Sequence, residues 1–205
     1  MVLETILERI TATVFGFLCH QDPGILMTVA GKEILLCPRC MGLHLGFSSS
    51  FILMALTTSS RVRIIGRATQ LVFAMAIGSM AIDWGLGGCL GLYAPTHLSR
   101  LATGLATGSA LSVLVISYRR GMVMPLDAAT LNLTGPQMAS LVCFSSSFCY
   151  LVVVLNHWAF LSSVLLLCVI ANASIAVHTV VLIMRSRLVR RAAVDSLLTN
   201  KGGIQ

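Results

Sequence analysis

Three thiols and an imidazole open the question of chemistry. Cys19 and His20 stand side by side, and Cys37-Pro38-Arg39-Cys40 follows. Zinc takes thiolates and imidazoles in tetrahedral sets, and a two-residue gap lets both sulfurs of a Cys-x-x-Cys reach one ion. The spacing therefore points to a zinc site with Cys19, His20, Cys37 and Cys40 as ligands. His44, four residues after Cys40 and on the same face of any helix starting there, is the alternate. A fully occupied set of this kind is structural and would staple the intervening loop, residues 20–39, to the rest of the protein. The same residues support a second chemistry. A helix start lowers a thiol pKa, as does a nearby Arg39, so Cys37 and Cys40 suit thiol–disulfide exchange with Cys19 as third partner. Exchange through two cysteine pairs would need a fourth outer cysteine, and here that would have to be Cys89.

A second group lies further on. Asp83 is the one carboxylate inside a long apolar stretch, where an ionised group costs roughly 2.5–3.5 kcal/mol on insertion scales. Gly85, Gly87, Gly88 and Gly91 follow it and weaken the helix or admit a close neighbour. Arg100 opens the next apolar stretch, and His97 precedes it by one turn. Asp83, His97 and Arg100 are the candidate catalytic set, with Asp83 expected to pair with Arg100. Arg100 also suits a lipid phosphate.

The elements that must position these residues are membrane helices. Of the 205 residues, 57% are hydrophobic and 10% charged, against about 25% charged in an ordinary soluble domain. Apolar runs over 41–58, 69–93, 98–118, 138–155 and 159–184 are each long enough to cross a bilayer. Residues 3–18 place Leu3, Ile6, Leu7, Ile10 and Val14 at helical spacing beside Glu4, Glu8 and Arg9, which predicts an amphipathic helix in the interface or packed on the bundle. The expected fold is all-α: a polytopic bundle of about five transmembrane helices plus that N-terminal helix. It forms one membrane domain over 1–184, with a basic, partly helical tail over 185–205. The 20–39 loop suits a short hairpin. On α-helical spans, Gly104 and Gly108 with their neighbouring alanines form a small-residue face for close packing.

Loop charge orients the bundle. Arg61, Arg63 and Arg67 follow the first span, Arg119 and Arg120 the third, and Arg185, Arg187, Arg190 and Arg191 the fifth. An odd span count gathers all three groups on one side, expected to be cytoplasmic. The Cys/His loop then faces outward, together with His97 and with the turn at 156–158, where Trp158 reads as an interfacial anchor. The net charge of +7 is accounted for by these loops and implies no nucleic-acid partner. The first charges are Glu4 and Glu8 rather than basic residues, so a cleavable signal peptide is not expected. The scattered cysteines do not form a secreted disulfide scaffold. Cys143, Cys149 and Cys168 read as buried hydrophobes.

The motifs resemble those of a prokaryotic membrane-protein family of unknown function. Its pattern runs Cys-His-Gln, then Cys-x-Arg-Cys-x-Gly, then Asp-x-Gly, then Arg-x-x-Thr-Gly-x-x-x-Gly. This chain carries Cys19-His20-Gln21, Cys37 to Gly42 with Gly46, Asp83-Trp84-Gly85, and Arg100 to Gly108. The resemblance spans about residues 15–115 and leaves the last two helices outside. An Arg-Ser-Phe-like loop segment of the family is missing, and His97 stands where an Asn is expected. The resemblance implies a prokaryotic inner or plasma membrane location and one polar site, but no reaction.

Together these readings lead to a zinc-binding membrane protein with an outer Cys/His site, acting on a lipid or lipid-linked phosphate. The alternatives are a thiol–disulfide oxidoreductase using Cys37 and Cys40, and a non-enzymatic small subunit of a larger membrane complex. Membrane lipids are the expected partners, with a homo-oligomer or larger assembly as the expected context.

Overall fold

The computed structural model describes residues 2–57, 62–123, 129–131 and 135–201. Six helices carry the fold: α1 (Val2–Gly16), α2 (Pro38–Thr57), α3 (Arg67–Ile82), α4 (His97–Val123), α5 (Gly135–Val154) and α6 (Trp158–Lys201). Five apolar stretches are long enough to span a membrane: Pro38–Thr57, Thr69–Cys89, His97–Arg119, Pro136–Val154 and Trp158–Leu188. The last, at 31 residues, would rise about 46 Å, well beyond a hydrocarbon core of about 30 Å. The basic tail thus continues α6 as helix to Lys201. Thr58 and Arg61, named from the sequence at the end of the first span and in the loop after it, lie outside the described residues.

The amphipathic α1 packs on the bundle. Phe15 is fully buried while Val2 and Leu3 stay exposed, and Lys32 Nζ bonds Glu8 Oε1 at 2.7 Å. The loop after α1 does fold into a hairpin, β1 (Met27–Val29) with β2 (Lys32–Ile34). Its turn is Ala30-Gly31, both at positive φ (50° and 77°), which suits the twist of a two-residue hairpin. The second strand ends at Ile34, because Leu36 and Cys37 must leave the ladder to start α2. Val29 and Ile34 point inward with Leu36, Met41, Leu45 and Trp158 to form the principal core at this end of the bundle. Trp158 is more than a surface anchor: it is 5% exposed and its Nε1 donates to the Glu33 carbonyl at 3.0 Å.

Helices α2 and α4 run parallel in close approach. A Cβ on Gly42 or Gly46 would strike the backbone of Leu101 or Leu105, and one on Gly104 or Gly108 the backbone of Arg39 or Leu43. The small-residue face expected on one helix is therefore matched by a second on its neighbour. Deeper in the bundle, buried hydroxyls tie α2 to α5: Ser49 and Ser50 reach Ser145 at 3.0 and 2.8 Å.

Two features depart from the sequence reading. The run 69–93 is not one α-helix. From Asp83 to Cys89 the chain widens into a π-helix, closed by Leu90 N–H to the Gly85 carbonyl at 2.9 Å, and a loop follows. Among its glycines, a Cβ would be crowded only at Gly87, against Pro95 and Tyr93 of the following loop. At the other end, β3 (Val62–Ile65) and β4 (Ala129–Leu131) form a two-stranded parallel sheet. Each is too short to announce a strand by itself.

Candidate functional site

The start of α2 organises the chemistry. Cys37 caps the helix: its carbonyl accepts the Met41 N–H at 2.9 Å, and Pro38 fills the first helical position, where a missing N–H costs nothing. At 100° per residue, Cys37, Cys40, His44 and Ser48 then fall within about a quarter of the circumference, and Arg39, Gly42 and Gly46 gather on the opposite side. One helical turn thus presents thiols one way and a guanidinium the other.

On the thiol face, Cys19 meets Cys37 and Cys40. The end of α1 turns through Cys19 N–H to the Phe15 carbonyl at 2.8 Å. Gln21, at φ 52°, donates from Nε2 to the Leu35 carbonyl at 3.0 Å and ties the loop beside Cys37. The three Sγ atoms lie within 4.8 Å of one another, and all three are free thiols of intermediate exposure. Cys19 Sγ also accepts the Cys37 backbone N–H at 3.3 Å. The hydrogen bonds from the Cys37 and Cys40 thiols hold the Cys19 pKa well below the ordinary thiol value. Cys37 is pushed the other way, chiefly by its bond to Cys19. The trio therefore favours one shared thiolate at Cys19.

The two histidines expected as ligands do not join this cluster. His20 is exposed; its neighbour Cys19 turns in, and the chain reverses at Gln21. His44 occupies the right face of α2, but its Nδ1 is engaged by Asn172 Nδ2 of α6 at 3.1 Å. Asn172 also donates to the His44 carbonyl at 3.2 Å and accepts from Ser48 Oγ at 2.9 Å. Cys89, considered from the sequence as a fourth redox cysteine, is exposed at the end of the π-helix and apart from the trio. Cys149 and Cys168 are buried as expected, whereas Cys143 is exposed on its helix.

On the opposite face, Arg39 forms an ion pair with Asp83 through Nη2, and its Nε donates to the same Oδ2 at 3.1 Å. Tyr93 donates its hydroxyl to Asp83 Oδ1 at 2.6 Å, which raises the pKa of that phenol. Asp83 is buried and Arg39 nearly so, at 4% and 12% side-chain exposure. The expected Asp83–Arg100 pair is thus corrected. The partner is Arg39, on the face of α2 turned away from the thiols. Arg100 instead donates from Nε to the Pro95 carbonyl at 3.3 Å. His97 bonds to neither Asp83 nor Arg100 among the described residues. It lines a cleft of about 550 Å³ between α4 and α5 with Leu101, Leu105, Cys149 and Tyr150.

Tyr93 and Asn172 are residues that sequence reasoning passed over, and Arg39, read from the sequence as an aid to the thiols, serves Asp83 instead. The phase of Cys-x-Arg-Cys already sends its Arg away from the thiols and so toward a partner on another helix. Tyr93 and Asn172 carry no comparable signal.

Residues 19–114 match the family described as predicted membrane protein (DUF2085). That range holds the thiol trio, the Arg39–Asp83 pair and the glycine contact between α2 and α4, and it agrees with the stretch of about 15–115 expected from the motifs. No curated protein and no solved structure matches the chain.

Proposed function

Starting from that membrane-family segment, we propose that this protein binds a zinc-class metal ion through Cys19, Cys37 and Cys40. One observation carries the reading: thiols from two separate segments converge within 4.8 Å. A redox pair needs two sulfurs with a third only as exchange partner, whereas a metal site uses all three at once as ligands. Ionisation is already favoured at Cys19, and thiolates are the form a metal takes. The site ties the end of α1 to the start of α2. The Arg-rich end of the bundle faces the cytoplasm under the positive-inside rule, and the metal site then faces outward.

Purification of the full chain without added metal or reductant tests this. About one zinc per chain is expected, lost in Cys19→Ser and in Cys40→Ser. A metal-free chain with a Cys37–Cys40 disulfide would overturn the reading and favour thiol–disulfide exchange, which draws its support from Cys37 at a helix start. The enzymatic reading on a lipid phosphate has weaker support. Asp83 is already neutralised by Arg39, and His97 is turned to a separate apolar cleft.

A further inference from the structure

Three thiolates leave a tetrahedral zinc-class ion one ligand short. We infer that His44 supplies the fourth ligand and that Asn172 holds it off until a metal arrives. This rests on the metal reading above and adds a switchable ligand to it.

The argument begins with helical phase. Cys37, Cys40 and His44 share one face of α2, and His44 lies one turn below Cys40, so the side chains at 40 and 44 are direct neighbours. Other nitrogen donors near the trio are poorly placed, since His20 is exposed. The imidazole is also half-free. Asn172 engages Nδ1, and Nε2 has no protein partner among the described residues. Nδ1 accepts from an amide N–H, so the proton resides on Nε2. A turn of the ring toward the trio breaks the Nδ1 bond; the neutral ring can then shift its proton from Nε2 to the freed Nδ1, which leaves the Nε2 lone pair for the metal.

The holding bond is built to be given up cheaply. Asn172 keeps two other partners when the ring departs, the His44 carbonyl at 3.2 Å and Ser48 Oγ at 2.9 Å. No buried polar group is then stranded, which would otherwise be the main cost of the switch. The carbonyl bond also fixes α6 against α2 at this level, so the ring can turn without the helices parting. Metal binding at the trio thereby removes one of the Asn172 bonds and leaves the other two holding α6 on α2.

The test uses the full chain in detergent micelles, titrated with Zn²⁺ and, for spectra, with Co²⁺. Asn172→Leu removes the competing bond and should tighten Zn²⁺ binding by about 2–10-fold, the worth of one neutral hydrogen bond expressed as a binding constant. His44→Ala should weaken it by about 10–100-fold, on the scale of support lost around a metal ligand. It should also shift the visible Co²⁺ bands from the pattern of three sulfurs and one nitrogen to that of three sulfurs and one oxygen. A gain of affinity in Asn172→Leu cannot arise from misfolding, so that variant guards the test against a damaged His44→Ala. If the unaltered chain binds metal but Asn172→Leu binds no tighter, or if His44→Ala keeps both affinity and spectrum, the inference is overturned while the three-thiol site stands. If the unaltered chain binds neither ion, the metal reading itself fails.

Discussion

The two faces of α2 use one short motif in opposite ways. Toward α4, Arg39 is paired with Asp83, Asp83 is further bonded by Tyr93, and Gly42 and Gly46 lie against backbone. Charge is cancelled and no space is left, which is how a membrane bundle tolerates a carboxylate in its interior. Toward α1 and α6, three thiols stand within 4.8 Å of one another, and His44 on the same helix face is engaged by Asn172 of α6. Satisfied polar groups in tight packing serve the fold, whereas converging donors short of an acceptor suit a ligand. Asp83 and Arg39 are thus tied into the packing between helices, and the chemistry proposed above rests on the thiols.

The sharpest way to break this division is through the glycines. Gly104→Leu places a side chain where the Arg39 and Leu43 backbone already lies. It should destabilise the bundle by more than about 4 kcal/mol, in the exceptional class of single substitutions, and disrupt both faces together. Gly85→Ala, with no atom near its would-be Cβ, is the control and should leave thermal unfolding in detergent little changed. Equal effects from the two would mean that α2 and α4 do not meet through these positions.

Breaking the ion pair comes next. Arg39→Gln strands a buried carboxylate and should cost about 3–5 kcal/mol. Asp83→Asn should cost less with Arg39→Gln already present than alone, and that cycle should show stronger coupling than Asp83→Asn with Arg100→Gln. A larger coupling to Arg100 would restore the pairing first expected from the apolar stretches. If instead Arg39→Gln abolished zinc binding while thermal stability held, the separation of the two faces would be wrong.

The thiol face offers a pH test. Hydrogen bonds from Cys37 and Cys40 depress the Cys19 pKa, so the thiolate persists below the ordinary thiol range of about 8.5. The pH midpoint for alkylation of Cys19 should therefore lie below that value and rise toward it in the Cys37→Ala, Cys40→Ala double variant, which removes both donors. The sign follows from linkage. A depressed folded pKa makes the stabilisation fullest above the unfolded value and removes it as pH falls through the folded one. Cys37, shifted upward, should alkylate with a higher midpoint. An unshifted Cys19 midpoint in the unaltered chain would remove the proposed shared thiolate.

The smallest expected effect is that of His20→Ala, which should leave zinc stoichiometry and affinity unchanged because that imidazole is exposed and outside the trio. Loss of the ion in this variant would return His20 to the ligand set and would displace His44.

Much of the architecture was legible before any coordinates. Apolar runs of bilayer length declare membrane helices from composition alone, because a backbone crossing lipid must satisfy its own hydrogen bonds. The N-terminal amphipathic helix, the hairpin between the cysteine groups and the small-residue face of α4 were also readable from local pattern. Partnership between helices was not. Cys37 and Cys40 share a helix start, so their proximity follows from spacing. The arrival of Cys19, the choice of Arg39 over Arg100 by Asp83, and the capture of His44 by Asn172 each depend on how helices distant in sequence are rotated and brought together. Residue spacing specifies which side chains share a face. Which helix meets that face is decided by packing, here by the glycines of α2 and α4 interlocking so closely that one side of the Cys-x-Arg-Cys turn is sealed and the other is left to the thiols.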